Sequence, residues 1–409
     1  MKNLYQGDRG ILVSYMQLAL KRAGYPLLVD GIFGTNTCRA LADFLQTDRT
    51  PDRICVVDRS VWEKLLPYLQ KIFSAHSQPV EGGAFGISLE QASTEEGENR
   101  ILFEDPVTSV EVPYTSLLTA AVIDGLLARY PFLKSGEIGK SVMGKSISYL
   151  EIGNGEKEVF YNASFHANES ITTPVLLKFA EEYAQAYEKG TALYGVPAAE
   201  LFEEYRLFLV PLVNPDGVDL VNGLLTDGGY YRRAQQIASD YPAIPFPTGW
   251  KANIEGIDLN LQFPAGWENA KRIKYAQGYT KPAPRDYVGE VPLTAPESEA
   301  VYAFTRSHDF RLILAYHTQG EVIYWKYLDY EPARSYEIAQ YFGRVSGYTV
   351  EQTPTQSGYA GYKDWFIQEY DRPGYTIETG MGENPLPMSD FAGIYRDNTG
   401  ILLGGMTQI

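Results

Sequence analysis

The stretch Val159-Phe160-Tyr161-Asn162-Ala163-Ser164-Phe165-His166-Ala167-Asn168-Glu169-Ser170 changes character halfway along. Val159, Phe160 and Tyr161 read as a buried strand, a short apolar run of the kind found in sheets covered on both faces. His166 and Glu169 follow where that strand should stop, and Thr172-Thr173-Pro174 then starts a helix, proline being suited to a first helical turn. An imidazole and a carboxylate at this spacing can reach one divalent ion, and would be two of the three protein ligands of an open catalytic site. The pattern is short, so the rest of the chain has to supply the specificity.

Working outward, three more apolar runs end on polar chemistry. Residues 208–213 lead into Asn214-Pro215-Asp216-Gly217, residues 312–316 into His317, and residues 375–377 into Glu378-Thr379-Gly380. Strands are also expected near 148–152 and 158–162, and helices near 114–130, 174–189, 296–307 and 333–345. Strands alternating with helices predict an α/β fold, a mixed twisted sheet sandwiched by helices. Sites in such sheets lie beyond the carboxyl ends of strands, so these four groups are expected to converge.

The length calls for two domains, or one large α/β domain with an appendage: 409 residues exceed one ordinary core. Apolar residues at 44% and charged residues at 21% are ordinary for a folded chain. Lys plus Arg 35 against Asp plus Glu 51 leaves a net charge of −16, which argues against nucleic acid or an anionic membrane as partner. The N-terminus lacks the pattern of a secretory signal and no apolar run is long enough to span a bilayer. The expectation is a cytoplasmic or sporulation-associated protein. Cys38 and Cys55 make no zinc motif and read as structural cysteines, able to pair in an oxidising compartment.

Residues 1–70 read as a small three-helix all-α domain. Val13, Met16 and Leu20 share one helix face before Gly24, and Ala40, Leu41, Phe44 and Leu45 share another. Between them Asp30-Gly31-Ile32-Phe33-Gly34 forms a turn with glycines where φ > 0 is convenient. Residues 71–112 have loop chemistry and read as a linker, and a second domain is expected over 113–409.

The order Gly7, Gly10, Met16-Gln17, Gly24, Asp30-Gly31-Ile32-Phe33-Gly34 and Phe44-Leu45-Gln46 resembles the three-helix peptidoglycan-binding domain of bacterial wall hydrolases. A helical packing or dimerisation appendage is the alternative. Residues 113–409 resemble the zinc metallocarboxypeptidase family. His166 and Glu169 match its His-x-x-Glu pair, His317 its distant histidine, and Glu378 its catalytic glutamate. Asn214-Pro215-Asp216-Gly217 and Gly256-Ile257-Asp258-Leu259-Asn260 match two further landmarks in order. Lys251-Ala252-Asn253, Asn260-Leu261-Gln262-Phe263-Pro264 and the run Gly382-Glu383-Asn384-Pro385-Leu386-Pro387 look most like the bacterial γ-D-glutamyl-meso-diaminopimelate peptidases.

The resemblance implies one Zn2+ per chain, held by His166, Glu169 and His317, supplying Lewis acidity to a water and to the scissile carbonyl. Glu378 would take the water's proton and pass it to the leaving amine. The family's oxyanion arginine follows a Trp. Here Trp250 precedes Lys251, which becomes the candidate, with Arg232 and Arg233 as rivals. Two departures narrow the substrate. Leu261 stands where family members that trim ordinary C-termini carry a carboxylate-clamping arginine, while Asn260 is retained as a possible substrate contact. The family's substrate-capping tyrosine falls on Ile367, leaving Tyr362 as a neighbouring candidate. The implied function is hydrolysis of the γ-D-glutamyl-diaminopimelate bond of peptidoglycan stem peptides, with muropeptides as partners. A carboxypeptidase or amide hydrolase acting on another small peptide and a non-catalytic wall-binding protein are the alternatives.

Overall fold

The computed structural model describes residues 2–46, 55–71 and 106–409, in two compact units. One comprises Met1–Val112 with Ala120–Pro131, the other Pro113–Thr119 with Phe132–Ile409. Most of the linker expected over 71–112 lies outside the described residues.

The first unit holds β1 (Leu4–Tyr5), α1 (Ile11–Arg22), α2 (Thr35–Phe44), β2 (Val56–Val57) and α3 (Arg59–Gln70), with β1 and β2 paired antiparallel. Buried Gln17 on α1 organises the expected turn. Its amide nitrogen donates to Asp30 Oδ1 at 2.7 Å and Thr37 Oγ1 at 3.0 Å, and its oxygen accepts from the Gly31 N–H at 2.8 Å. Gly31 does take φ +70°. Gly34 does not; at φ −90° it is the extended residue that precedes α2. Cys38 and Cys55 are joined as a disulfide, their Cα atoms 5.8 Å apart.

Helix α4 (Ser116–Arg129) carries residues of both units. The second unit continues with β3 (Lys134–Lys140), β4 (Ser146–Ile152), β5 (Lys157–Ala163), α5 (Thr172–Glu188), β6 (Ala192–Leu193), β7 (Val196–Pro197), α6 (Ala198–Glu204), β8 (Tyr205–Val210), α7 (Pro215–Val221), α8 (Gly228–Ser239) and α9 (Trp267–Ala276). It is completed by α10 (Pro296–Arg306), β9 (Leu312–His317), β10 (Val322–Tyr324), α11 (Ser335–Ser346), β11 (Thr349–Glu351), α12 (Tyr362–Tyr370), β12 (Gly374–Glu378) and α13 (Phe391–Thr407). Eight strands form one mixed sheet in the order β11-β10-β12-β9-β5-β8-β4-β3, flanked by helices.

The order of the central strands positions the chemistry. β12, β9, β5 and β8 run parallel side by side, so their carboxyl ends share one edge. Their inner residues, among them Phe160, Phe208, Val210 and Ile313, are buried in an apolar core with Trp365 and Phe263. Among the described residues, no helix is long and apolar enough to cross a membrane.

Candidate metal centre

Two histidines and a glutamate from two distant parts of the chain meet at this edge. His166 and Glu169 sit on the short turn after β5, and His317 is the last residue of β9. The ligand-type atoms of the three lie within 4.8 Å of one another. Glu169 Oε1 is 3.0 Å from His166 Nδ1, Glu169 Oε2 is 3.0 Å from His317 Nδ1, and the two Nδ1 atoms are 3.2 Å apart. The Thr318 N–H donates to Glu169 Oε2 at 3.2 Å. Two imidazole nitrogens and a carboxylate grouped this closely are the donor set of a zinc site that keeps a position open.

The turn that carries His166 and Glu169 is held from several sides. Ser164 takes φ +53° and turns the chain out of β5, its N–H donating to Thr172 Oγ1 at 3.1 Å. The Ala167 N–H donates to the Lys251 carbonyl at 3.0 Å. Asn214, which ends the apolar run at 208–213, ties this region together. Its side-chain oxygen caps α7 by accepting from the Gly217 N–H at 3.0 Å, and its amide donates to the Phe165 and Ala252 carbonyls at 3.1 and 3.0 Å. One side chain thus joins the loop carrying His166 to the loop carrying Lys251.

Asp258 supplies the outer contact. Its Oδ1 lies 3.1 Å from His166 Nε2, which orients the ring and leaves Nδ1 for the metal. Asp258 Oδ2 accepts from the Asp286 N–H at 3.0 Å. Gly256 makes this possible with φ +81°, and a Cβ there would stand 2.9 Å from the Ala283 nitrogen. The sequence marked this motif as a landmark without giving Asp258 a role. A single Asp after a Gly-Ile pair carries no local sign of a partner so far away.

Electrostatics follow from burying one carboxylate among cations. Burial raises the Glu169 carboxyl, but Lys251 and His166 outweigh this and hold it well below the usual range. Burial pushes the His166 imidazole down, yet the Glu169 and Asp258 carboxylates raise it to about 9. Lys251 Nζ pairs with Glu169 Oε1 at 2.9 Å. Glu378, the last residue of β12, is in register with His317. Burial pushes its carboxyl up, with His317 pulling the other way.

Two cavities share lining residues here. One of about 500 Å³ is bordered by Asn168, Arg285, Thr318, Tyr324 and Asn384, together with Lys251 and Glu378. The other, about 210 Å³, is bordered by His166, Asp258, Asn260, Leu261, Arg285 and Lys363, again with Lys251 and Glu378. Of the expected contacts, Lys251 and Glu378 therefore face both cavities. Asn260 faces the smaller one, its Oδ1 accepting from the Tyr362 N–H at 3.0 Å. Three expectations need correcting. Arg232 and Arg233 are exposed on α8 and border neither cavity. Tyr362 points into the core, where its hydroxyl bonds Thr305 Oγ1 at 2.9 Å. An exposed helix face in the first case and an apolar core in the second draw these side chains away from the edge of the sheet.

Fold and site together define a zinc peptidase. The sequence profile of the zinc carboxypeptidase family matches residues 119–399, and the chain belongs to that family, whose members use one Zn2+. It is 47% identical over 285 residues to gamma-D-glutamyl-L-diamino acid endopeptidase 1 of Lysinibacillus sphaericus, covering 69% of this chain and 70% of the relative. It is 44% identical over 276 residues to the uncharacterized protein YqgT of Bacillus subtilis (strain 168), covering 67% and 72%. Among solved structures, the carboxypeptidase A from Helicoverpa armigera superposes with a TM-score of 0.54 at 20% identity, over 86% of this chain and 81% of that one. Thrombin-activatable fibrinolysis inhibitor gives 0.58 at 17%, over 73% and 75%. These two likenesses show the fold alone.

Proposed function

We propose that the protein hydrolyses the γ-D-glutamyl to meso-diaminopimelate bond of peptidoglycan stem peptides. The observation that carries the chemistry is the meeting of His166, Glu169 and His317 beside two cavities that share Glu378 and Lys251. The substrate reading is supported by the identity to the Lysinibacillus endopeptidase and by Leu261, an apolar residue on the wall of the smaller cavity. Leucine offers no fork for a C-terminal carboxylate.

Zinc held by the three ligands supplies Lewis acidity to the scissile carbonyl and to the attacking water. Glu378 takes the proton from that water and delivers it to the leaving amine. Lys251 answers the negative charge that develops on the carbonyl oxygen. Residues 1–70 serve as a peptidoglycan-binding module that keeps the enzyme near its substrate.

The test is a digest of L-Ala-γ-D-Glu-meso-diaminopimelate followed by mass spectrometry. Release of L-Ala-γ-D-Glu supports the reading. Loss of a C-terminal residue from ordinary α-peptides, with the tripeptide left intact, overturns it. Co-sedimentation of the full-length protein with purified sacculi tests the module.

A further inference from the structure

We infer that Arg285 is the side chain that binds a substrate carboxylate next to the scissile bond, in the role that Leu261 cannot fill. The inference rests on the γ-D-glutamyl reading above and adds to it a residue that sequence comparison with the family did not single out.

The first observation is position. Among the described residues, Arg285 is the one arginine that borders either cavity, and it borders both, in company with Lys251 and Glu378. A group placed there is within reach of a substrate on either side of the bond being cut.

The second is that its backbone is fixed by the site itself. The Pro284 carbonyl accepts from the N–H groups of both Lys251 and Ala252, at 2.7 and 2.9 Å. On the other side the Asp286 N–H donates to Asp258, the partner of His166. Arg285 thus sits between the loop of the oxyanion lysine and the aspartate that orients a metal ligand. A receptor held this way loses little freedom when it binds.

The third is the state of its guanidinium. Nε is taken by Asp286 Oδ2 at 2.7 Å, which fixes the plane of the fork. Its two terminal amines have no hydrogen-bond partner among the described residues. Of the nearby ammonium groups, Lys274 pairs with Asp286 at 2.5 Å and Lys363 with Asp364 at 2.6 Å, while Lys251 is the group assigned to the oxyanion. A fork anchored at Nε with both amines available is the geometry that takes a carboxylate through two parallel hydrogen bonds.

A γ-D-glutamyl-diaminopimelate bond offers such a carboxylate on each side: the glutamyl α-carboxylate on the acyl half, and the diaminopimelate α-carboxylate on the amine half. Both stand a few bonds from the scissile carbonyl. The experiment separates them with three substrates, namely L-Ala-γ-D-Glu-meso-diaminopimelate, the same peptide with the glutamyl α-carboxylate amidated, and the same peptide with the diaminopimelate α-carboxylate amidated. Each is turned over by wild-type, Arg285→Gln and Arg285→Lys enzymes, all confirmed to hold one zinc and to melt at the wild-type temperature.

The expected result is a rise of about 10- to 100-fold in KM for Arg285→Gln on the unmodified peptide, with partial recovery in Arg285→Lys. One of the two amidated peptides should then be handled alike by all three enzymes, which identifies the carboxylate. If the wild type cleaves the tripeptide and Arg285→Gln matches it, the role of Arg285 falls while the γ-D-glutamyl reading stands. An equal loss on all three peptides also overturns the role, since that is what a purely structural defect gives. Wild-type enzyme that leaves all three intact overturns both readings together.

Discussion

His166 and Asp258, 92 residues apart in the chain, meet through a contact of 3.1 Å between Nε2 and Oδ1. The metal-facing side of the imidazole is therefore set by a carboxylate on a different loop, which is itself tied to Asp286. His317 differs: its Nε2 is buried and has no hydrogen-bond partner among the described residues. The two histidines are therefore not equivalent, and His166 depends on an external partner for its orientation.

Replacing that partner is expected to weaken the metal site without removing a ligand. Asp258→Ala should lower zinc affinity by about 10- to 100-fold, read by competition with a chromophoric chelator. Unchanged affinity would show that the turn around Asn214 alone orients the ring.

Glu378→Gln should separate metal binding from catalysis. The carboxamide keeps the shape but cannot accept the water's proton, so kcat is expected to fall by about 100- to 10,000-fold. Zinc content, measured by atomic emission, should stay at one per chain. Loss of zinc along with activity would make Glu378 a ligand instead.

The disulfide between Cys38 and Cys55 closes a separation of 17 residues. A loop of that size is worth about 3 kcal/mol on the loop-closure estimate. Reduction is expected to speed hydrogen exchange across α1 to α3, followed by mass spectrometry, and to leave turnover of the tripeptide unchanged because neither sulfur belongs to the catalytic site. Exchange that is insensitive to reductant would contradict this.

Glu297, at the start of α10, gives a pH dependence whose sign can be worked out. Burial raises its carboxyl from 4.5 to about 7, against the hydrogen bonds from Asn253 and the Val142 N–H, with Asp216 adding to the rise. The folded state then holds this proton more tightly than the unfolded chain. Its contribution is fully present below about 4.5 and is lost as pH rises through about 7, of the order of 3 kcal/mol at most. In Glu297→Gln that loss is absent, so the stability of the variant relative to wild type should improve between pH 5 and pH 8 in denaturant titrations. A constant difference would show that Glu297 is ionised throughout.

How far the sequence could be read depends on the range of each signal. The strands at 159–161 and 312–316 and the polar residues that end them were legible because a buried run and its stop are local patterns. Helix α13 was not foreseen. It carries Gly393, Gly400, Gly404 and Gly405, which depress helix propensity. The structure gives three of them a reason: a Cβ on Gly405 would stand 2.3 Å from the Tyr161 hydroxyl, one on Gly404 2.5 Å from the Tyr341 ring, and one on Gly400 2.7 Å from Val345. Close packing against partners far along the chain outweighs a local preference that points the other way.

The sequence by itself singled out His166, Glu169 and His317, which the structure groups within 4.8 Å of one another, together with Glu378 and the alternation that makes an α/β sheet, since each is written in adjacent residues or in a family's motif order. Only the tertiary structure decided the company they keep. It paired Asp258 with His166, buried the Tyr362 hydroxyl in the core, left Arg232 and Arg233 on the exposed face of a helix, and placed Arg285 on the walls of both cavities. Those outcomes depend on the order β12-β9-β5-β8 and on loops bonded to each other across the edge of the sheet. Such contacts join residues with no periodic relation along the chain, so they are absent from any local pattern.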